Sequence, residues 1–218
     1  AGSGTSVQQI NQLLKQFEQT QAMIKQMGKF GKMGKRGREY LKENPVTDMR
    51  GFGTFYLPKG SWSDDSSMML CLADSIGIQG KIDYEDIMSR FWEWYKNSKY
   101  TPDNDTFDIG RTCHKAIKNF HTGKAPLDCG LTSESDNGNG SLMRILPMAY
   151  YFKENSMSDI EMSRIINDLS SMTHGHELSC LGCYLYTKYA IGLLYANMGL
   201  VYQNIYDYPK SLRCFLQA

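Results

Sequence analysis

Apolar residues recur at intervals of three and four along most of this chain, which is the spacing of one face of a helix. Near the N-terminus the pattern runs from Val7 to Ile24 and predicts an amphipathic helix. The same period returns at residues 69–76, 84–95, 108–120 and 162–169, and apolar helices are expected at 142–151 and 178–194. No sustained alternation of apolar and polar residues, which would indicate strands, interrupts the series. The pattern predicts an all-α protein.

Composition bears on where the protein is located, whereas its net charge indicates no particular class of partner. The 218 residues suffice for one large domain or two small ones, and their net charge is +1. No apolar run is long enough to cross a bilayer, and no secretion signal opens the chain. Of the six cysteines only Cys180 and Cys183 lie close together, without the second pair that a zinc site needs. We therefore expect reduced thiols in a cytoplasmic protein with no membrane span.

A basic stretch follows the first helix. Lysines and arginines alternate with glycines between Lys25 and Arg38, and no acid interrupts them between Glu18 and Glu39. Glycine at this density disfavours a helix, so the stretch is expected to be a mobile linker. Its cations suit phosphates, which predicts a weak, salt-dependent RNA contact. A solvated linker without a partner is supported about as well.

The first candidate for chemistry is an acidic stretch. Ser63, Asp64 and Asp65 stand directly before the apolar helix that begins near Met68. Serine and aspartate at this position cap the free N–H groups of a first helical turn. Three hard oxygens directed toward one point would also suit Mg²⁺. Spacing alone leaves both interpretations open.

The second candidate is rich in glycine. Residues 136–144 place small side chains before the predicted helix at 142–151, and backbone N–H groups there can approach an anion. Asn-Gly pairs are also common in turns, so the signal is weak alone. Further on, His174 and His176 lie between two predicted helices, where either can cap a helix or contact a substrate. His174 is the better candidate because it follows Thr173 at a turn.

Taken in order, five motifs resemble the ADP-ribosylglycohydrolase family over about residues 45–197. They are Asp48-Met-Arg-Gly-Phe-Gly53, Trp62-Ser-Asp-Asp-Ser66, Phe107-Asp-Ile-Gly-Arg-Thr112, Gly138-Asn-Gly-Ser-Leu-Met-Arg144 and Thr173-His174. Each motif is weak by itself, but their order and spacing together are specific.

The resemblance implies an all-α fold with two Mg²⁺ ions in a cleft, and it favours ligands over caps at the acidic stretch. It assigns metal binding to Ser63, Asp64 and Asp65, and catalysis to Asp108 and Asp65. Substrate binding falls to Gly138, Asn139, Gly140, Ser141, Met143, Arg144 and His174. The reaction implied is cleavage at the anomeric carbon of ADP-ribose through an oxocarbenium-like transition state.

Two family features have no counterpart. The opening helix with its acidic residue is missing before Val46, and the C-terminal Asp-x-Asp-Thr motif is missing beyond Leu194. Residues 103–106 have that last pattern but stand too early in the chain, so we interpret them as a coincidental polar loop. We therefore expect about half of a metal site.

The two ends resemble other families. Residues 2–17 and the sequence after them are similar to the end of the methionine-rich domain of the signal recognition particle GTPase. Residues 195–218 fit one tetratricopeptide repeat, with its turn at 207–209. The predicted organisation is a helix and basic linker at 1–40, the glycohydrolase-like core at 41–194 and a helical hairpin at 195–218. We expect a fusion, a fragment or a composite sequence.

Two functions follow. The first is a Mg²⁺-dependent hydrolase that removes ADP-ribose from modified protein side chains. The alternative is a non-catalytic protein that binds RNA or a protein partner through its basic arm and helical-repeat end. The absent acidic ligands favour weak or no turnover.

Overall fold

The computed structural model describes residues 42–45, 47–49 and 51–218. The chain divides into two units, Ala1–Lys59 and Gly60–Ala218. The predicted N-terminal helix and the basic stretch from Lys25 to Arg38 lie outside the described residues. Neither prediction is tested by the structure.

The described end of the first unit is a loop with exposed aromatic residues. The Phe52 amide donates to the Leu57 carbonyl at 2.6 Å, and the Tyr56 amide donates to the Gly53 carbonyl at 3.1 Å. Phe52 and Tyr56 both have positive φ, and their rings meet edge to face at 6.4 Å. An ion pair joins Asp48 to Lys59.

The second unit is helical. Its α-helices, in chain order, are α1 Asp64–Gln79, α2 Tyr84–Asn97, α3 Arg111–His121, α4 Pro147–Asn155, α5 Asp159–Ser171, α6 Glu177–Asn204 and α7 Tyr208–Gln217. Two 3₁₀ turns, Pro126–Asp128 and Glu134–Asp136, connect α3 to the loop before α4. Among the described residues, extended pairing is limited to one parallel bridge between Leu131 and His174. The all-α prediction is confirmed.

One hydrophobic core lies inside α1 to α6. Each of these helices contributes at least one side chain that is 0% exposed: Met68, Phe91, Ala116, Met148, Ile166 and Cys183. A polar cluster anchors α1 to α2, because Arg90 pairs with Asp74 and Asp86 and donates to the Tyr100 hydroxyl at 2.7 Å. The core fixes where the loops at 98–110 and 130–146 leave the helices.

Two helices begin later than the sequence predicts. The helix expected from Asp108 begins at Arg111, because Asp108 itself has a φ of 58° and therefore cannot be helical. The helix expected from Leu142 begins at Pro147, a residue suited to a first helical turn because it lacks an N–H. The glycine-rich turn therefore leads into a tight turn at 141–144, and the expected helix N-terminus beside it was wrong.

The predicted domain boundary at residue 194 falls inside a helix. α6 continues without a break from Glu177 to Asn204, so residue 194 lies inside it. Its end packs against α7, which begins at Tyr208 with Asp207 as its N-cap. The pair forms the predicted C-terminal hairpin.

All six cysteines are buried thiols without disulfide bonds, as predicted. In the portion of the chain that the structure describes, every helix is too short or too polar to span a bilayer.

Candidate active site

The start of α1 brings acidic oxygens together. Ser63 occupies the N-cap position but makes no capping bond; its Oγ donates to Asp65 Oδ2 at 3.1 Å. Asp64 is only 7% exposed, and its Oδ1 accepts the Asp65 amide at 3.1 Å. The capping interpretation of Ser63 therefore does not hold, because its hydroxyl is directed at a carboxylate.

Asp108 belongs to the same neighbourhood. Burial, together with the charges of Asp65 and Asp108, raises the pKa of Asp64 to about 6. Asp108 is exposed and holds a left-handed backbone conformation, which is costly for a residue other than glycine and is often found at functional sites. We call Ser63, Asp64, Asp65 and Asp108 the acidic corner.

The loop after α2 supports this corner from one side. The Tyr100 carbonyl accepts hydrogen bonds from Trp62 Nε1 at 3.0 Å and from Ser67 Oγ at 2.9 Å. Ser61 Oγ donates to Asp103 Oδ2 at 2.8 Å. Asp103 belongs to the 103–106 pattern that the sequence suggested was coincidental. In the structure it contacts Ser61, which precedes Ser63 by two residues. Chain order concealed this proximity.

The predicted substrate loop, residues 138–144, is tightly packed; we call it the glycine loop. A Cβ at Gly140 would lie 2.5 Å from Cys113 Sγ and 2.6 Å from His174 Cε1, so only glycine fits. Ser141 is 1% exposed, and its Oγ lies 3.0 Å from Ser170 Oγ. Gly138 and Asn139 are exposed at the tip, and Met143 is half-buried.

Arg144 ends the loop inside the protein. It is 2% exposed, with Nη1 donating to the Gly140 carbonyl and Nη2 to the Leu169 carbonyl at 2.9 Å. Its guanidinium also lies 5.2 Å from the centre of the Phe91 ring. Burial lowers the pKa of Arg144, although an arginine remains charged.

His174 stands beside the loop and is 2% exposed. Its Nδ1 lies 2.8 Å from Thr173 Oγ1, and its Nε2 side faces Gly138 and Gly140. Burial, together with the charge of Arg144, lowers the pKa of His174 to about 4. The imidazole is therefore neutral at neutral pH.

Sequence reasoning missed Asp136, which is 7% exposed just before the glycine loop. Its Oδ1 accepts from Arg111 Nη2 at 3.3 Å and from Thr112 Oγ1 at 3.5 Å. Asp136 thus connects the first turn of α3, which follows Asp108, to the loop. The only available signal was a carboxylate next to a glycine turn, which is too common to be used.

Cys113 links the acidic corner to the glycine loop. Its thiol touches the space at Gly140, while burial, opposed by Arg144 and assisted by the charges of Asp64 and Asp65, raises its pKa to about 11. An inert thiol therefore packs against the glycine loop, within electrostatic range of Asp64 and Asp65.

The acidic corner matches Mg²⁺ in the kind of donor it offers. Among residues 42–45, 47–49 and 51–218, no three His, Cys, Asp or Glu side chains form a metal-binding group. Mg²⁺ usually keeps several waters and needs one or two carboxylates, which Asp64 and Asp65 supply. The buried carboxyl of Asp64, repelled by two others, is the observation that fits a cation.

The most apolar groove lies elsewhere. It measures about 570 Å³ and lies between α1 and α4, lined by residues such as Met69, Ala73, Pro147 and Tyr150. It includes no predicted site residue.

Comparisons with known proteins assign the chain to a family. The family model described as ADP-ribosylglycohydrolase matches residues 23–213, so the chain belongs to the ADP-ribosylglycohydrolase family. Residues 1–42, mostly outside the described part, match the model described as signal peptide binding domain. Both resemblances are thereby supported, whereas the tetratricopeptide resemblance has no such support.

Three similar proteins illustrate the match. The ADP-ribosylarginine hydrolase Tri1 of Pseudomonas putida is 34% identical over 64% of this chain and 37% of its own length. The ADP-ribosyl-[dinitrogen reductase] glycohydrolase of Rhodospirillum rubrum is 32% identical over 62% of this chain and 42% of its own. A solved ADP-ribosylglycohydrolase-related protein complex shares 27% identity with a TM-score of 0.53, covering 68% of this chain and 46% of that one. The chain spans less than half the length of these relatives.

Proposed function

We propose that this chain carries the ADP-ribose site of a Mg²⁺-dependent hydrolase that removes ADP-ribose from modified protein side chains. The observation that carries the proposal is the position of Cys113, which packs against the glycine loop within electrostatic range of Asp64 and Asp65. The names of the relatives make ADP-ribosylated arginine the side chain to test first.

The proposed roles follow from position. Ser63, Asp64 and Asp65 would hold Mg²⁺, which when bound supplies positive charge for ribose hydroxyls and for a water molecule. Asp108 is exposed beside them and would orient the attacking water and accept its proton at a carboxylate oxygen.

The glycine loop would bind the diphosphate. Its exposed tip at Gly138 and Asn139 offers backbone N–H groups to an anion. A neutral His174 adds no positive charge there and supports the loop by contact with Gly138 and Gly140.

In the reaction, a water oxygen bonds to the anomeric carbon as the bond to the side-chain nitrogen breaks. The departing nitrogen receives a proton, so that free ADP-ribose and the unmodified side chain result. Positive charge develops on the sugar ring, and the carboxylates of the acidic corner are placed to stabilise it.

The test is release of ADP-ribose from an ADP-ribosylated arginine protein, with and without Mg²⁺. We expect release in Mg²⁺ and a loss of at least a hundredfold in Asp65→Asn and Asp108→Asn. Asp159→Asn, which removes an exposed partner of Lys188, serves as the control and should keep activity. No release and no ADP-ribose binding at high protein concentration would overturn the proposal.

A second candidate is a binding protein without turnover, which the run of lysines and arginines between Lys25 and Arg38 favours. In this case the basic residues between Lys25 and Arg38 bind RNA electrostatically. Affinity for an RNA hairpin should then fall steeply with salt and show little sequence preference. Undetectable or salt-insensitive binding would leave that stretch as a linker.

A further inference from the structure

Arg144 ends the glycine loop, but its side chain is buried in the protein interior. We propose that Arg144 is a positioning residue, which fixes the glycine loop and the His174 turn in a ligand-ready geometry and makes no contact with substrate. The inference rests on the proposed function for its ligand, ADP-ribose. It also makes a claim about the loop that can be tested without any ligand.

The first support is burial. Arg144 is among the largest side chains that are fully buried, and both arms of its fork are engaged by main-chain carbonyls. A buried cation is costly unless its hydrogen bonds are made, and each carbonyl here contributes a charge-assisted bond. The face of the Phe91 ring, whose centre lies 5.2 Å from the guanidinium carbon, adds a cation–π contact. The side chain has no exposed surface to offer a substrate.

The second support is the direction of one peptide group. The Gly140 carbonyl points at Arg144 Nη1. Because a peptide bond is planar and trans, the N–H of Ser141, in the same peptide group, points away from the guanidinium. Arg144 thus sets the direction of a donor in the loop proposed to bind phosphate. Without this bond the peptide would be free to rotate.

The third support is the partner of the other arm. Nη2 donates to the Leu169 carbonyl near the end of α5, and the next residue, Ser170, donates to the His174 carbonyl at 2.9 Å. Ser170 Oγ also lies within hydrogen-bond distance of Ser141 Oγ, at 3.0 Å. One guanidinium therefore ties the glycine loop to the turn that carries His174. The two parts are held at a fixed separation.

The experiment compares Arg144→Met, Arg144→Lys and a control, Ile87→Ala, with the wild type. Ile87 is a 1% exposed core residue in the first turn of α2, so its truncation destabilises the protein without touching the loop. Hydrogen exchange of residues 137–146 and ADP-ribose affinity are measured at a temperature at which all four proteins are folded.

We expect Arg144→Met to accelerate exchange at residues 137–146 selectively and to weaken ADP-ribose binding by about tenfold. This change corresponds to about 1.4 kcal/mol, close to the cost of fixing the backbone of one residue. Arg144→Lys keeps the charge but loses the two-armed guanidinium. Its loop exchange and its ADP-ribose affinity should therefore lie between those of Arg144→Met and the wild type. Ile87→Ala should change neither the local exchange nor the affinity.

The two proposals can fail separately. Faster loop exchange in Arg144→Met with no ADP-ribose binding by the wild type would overturn the proposed function and leave the positioning role standing. Exchange and affinity in Arg144→Met equal to those of Ile87→Ala would overturn the positioning role. If Arg144→Met does not fold, the same readings on Arg144→Lys decide.

Discussion

The acidic corner and the glycine loop differ in how their buried polar groups are satisfied. In the acidic corner the charges of Asp65 and Asp108 repel the carboxylate of Asp64, which is buried. In the glycine loop the buried polar groups are paired: Ser141 with Ser170, and Arg144 with two carbonyls. One region is electrostatically strained and the other is satisfied.

The two regions show two ways in which a folded protein can be prepared to bind a ligand. Repelling carboxylates raise the free energy of the folded protein until a cation or a proton relieves them. In a loop whose hydrogen bonds are already made, the entropy of ordering the backbone is lost during folding. The ligand then meets donors that are already fixed in place. We therefore expect changes in the glycine loop to act on stability and binding together, and changes in the acidic corner to act through pH and Mg²⁺.

The largest expected effect follows from adding one methyl group to the loop. Gly140→Ala would place a carbon within 2.6 Å of Cys113 and His174, and should lower the free energy of unfolding by about 1–3 kcal/mol. ADP-ribose binding should be lost with it. Gly182→Ala is the matched control, because its Cβ meets nothing within 4 Å in α6 and should stabilise the helix slightly. Denaturant unfolding and calorimetric titration measure both, and an unaffected Gly140→Ala would refute the tight packing.

The second effect concerns His174. Its folded pKa of about 4 lies below the ordinary 6.5, so between these values the unfolded chain holds a proton that the folded protein lacks. The stability that this neutral imidazole preserves is complete above pH 6.5 and is lost progressively as pH falls toward 4. The free-energy difference between wild type and His174→Gln should follow this curve. His121→Gln, which alters an exposed imidazole, is the control, and a pH-independent difference for His174→Gln would contradict the assignment.

The third effect has the opposite sign. The folded pKa of Asp64 is raised from 3.8 to about 6, so the folded protein holds a proton that the unfolded chain has lost, and stability falls as pH rises through this window. Asp64→Asn should therefore be more stable than wild type at pH 7, by about 1 kcal/mol. Thermal unfolding at pH 5 and pH 7 measures the change. In the wild type the slopes of Asp64 and His174 oppose each other, so only the variants expose them.

Magnesium provides a second test of the Asp64→Asn variant. Millimolar Mg²⁺ should raise the melting temperature of the wild type by mass action on the folded state and leave Asp64→Asn unchanged. Asp159→Asn, distant from the acidic corner in sequence, should respond as the wild type does. An equal rise in Asp64→Asn would remove this residue from the metal assignment.

The smallest effect is expected at the edge of the loop. Arg111 pairs with Asp136 at 3.3 Å, but its side chain is 64% exposed, so Arg111→Met should cost no more than about 0.5 kcal/mol. The loss should disappear in high salt because exposed charges are screened. Unfolding in urea at low and high NaCl provides the measurement. A large, salt-independent loss would mean that the Arg111–Asp136 bond is a main support of the loop.

Local chemistry predicted much of the fold. The period of apolar residues located α1, α2, α5 and the start of α6. It placed the starts of α3 and α4 too early, because Asp108 takes a left-handed conformation and Pro147 begins the later helix. Both failures lie next to the candidate site, where long-range packing overrides local preference.

Helical spacing and short motifs are local properties, so the helical class, the family and the residue types of the candidate site could be predicted from the chain alone. How those residues are paired and buried depends on packing. Ser63 Oγ is directed at the carboxylate of Asp65 instead of capping α1, and Arg144 is buried against two carbonyls. The contacts of Arg144 with Leu169, of Ser61 with Asp103 and of Arg111 with Asp136 join residues 25 to 42 positions apart, so they form only when the helices pack.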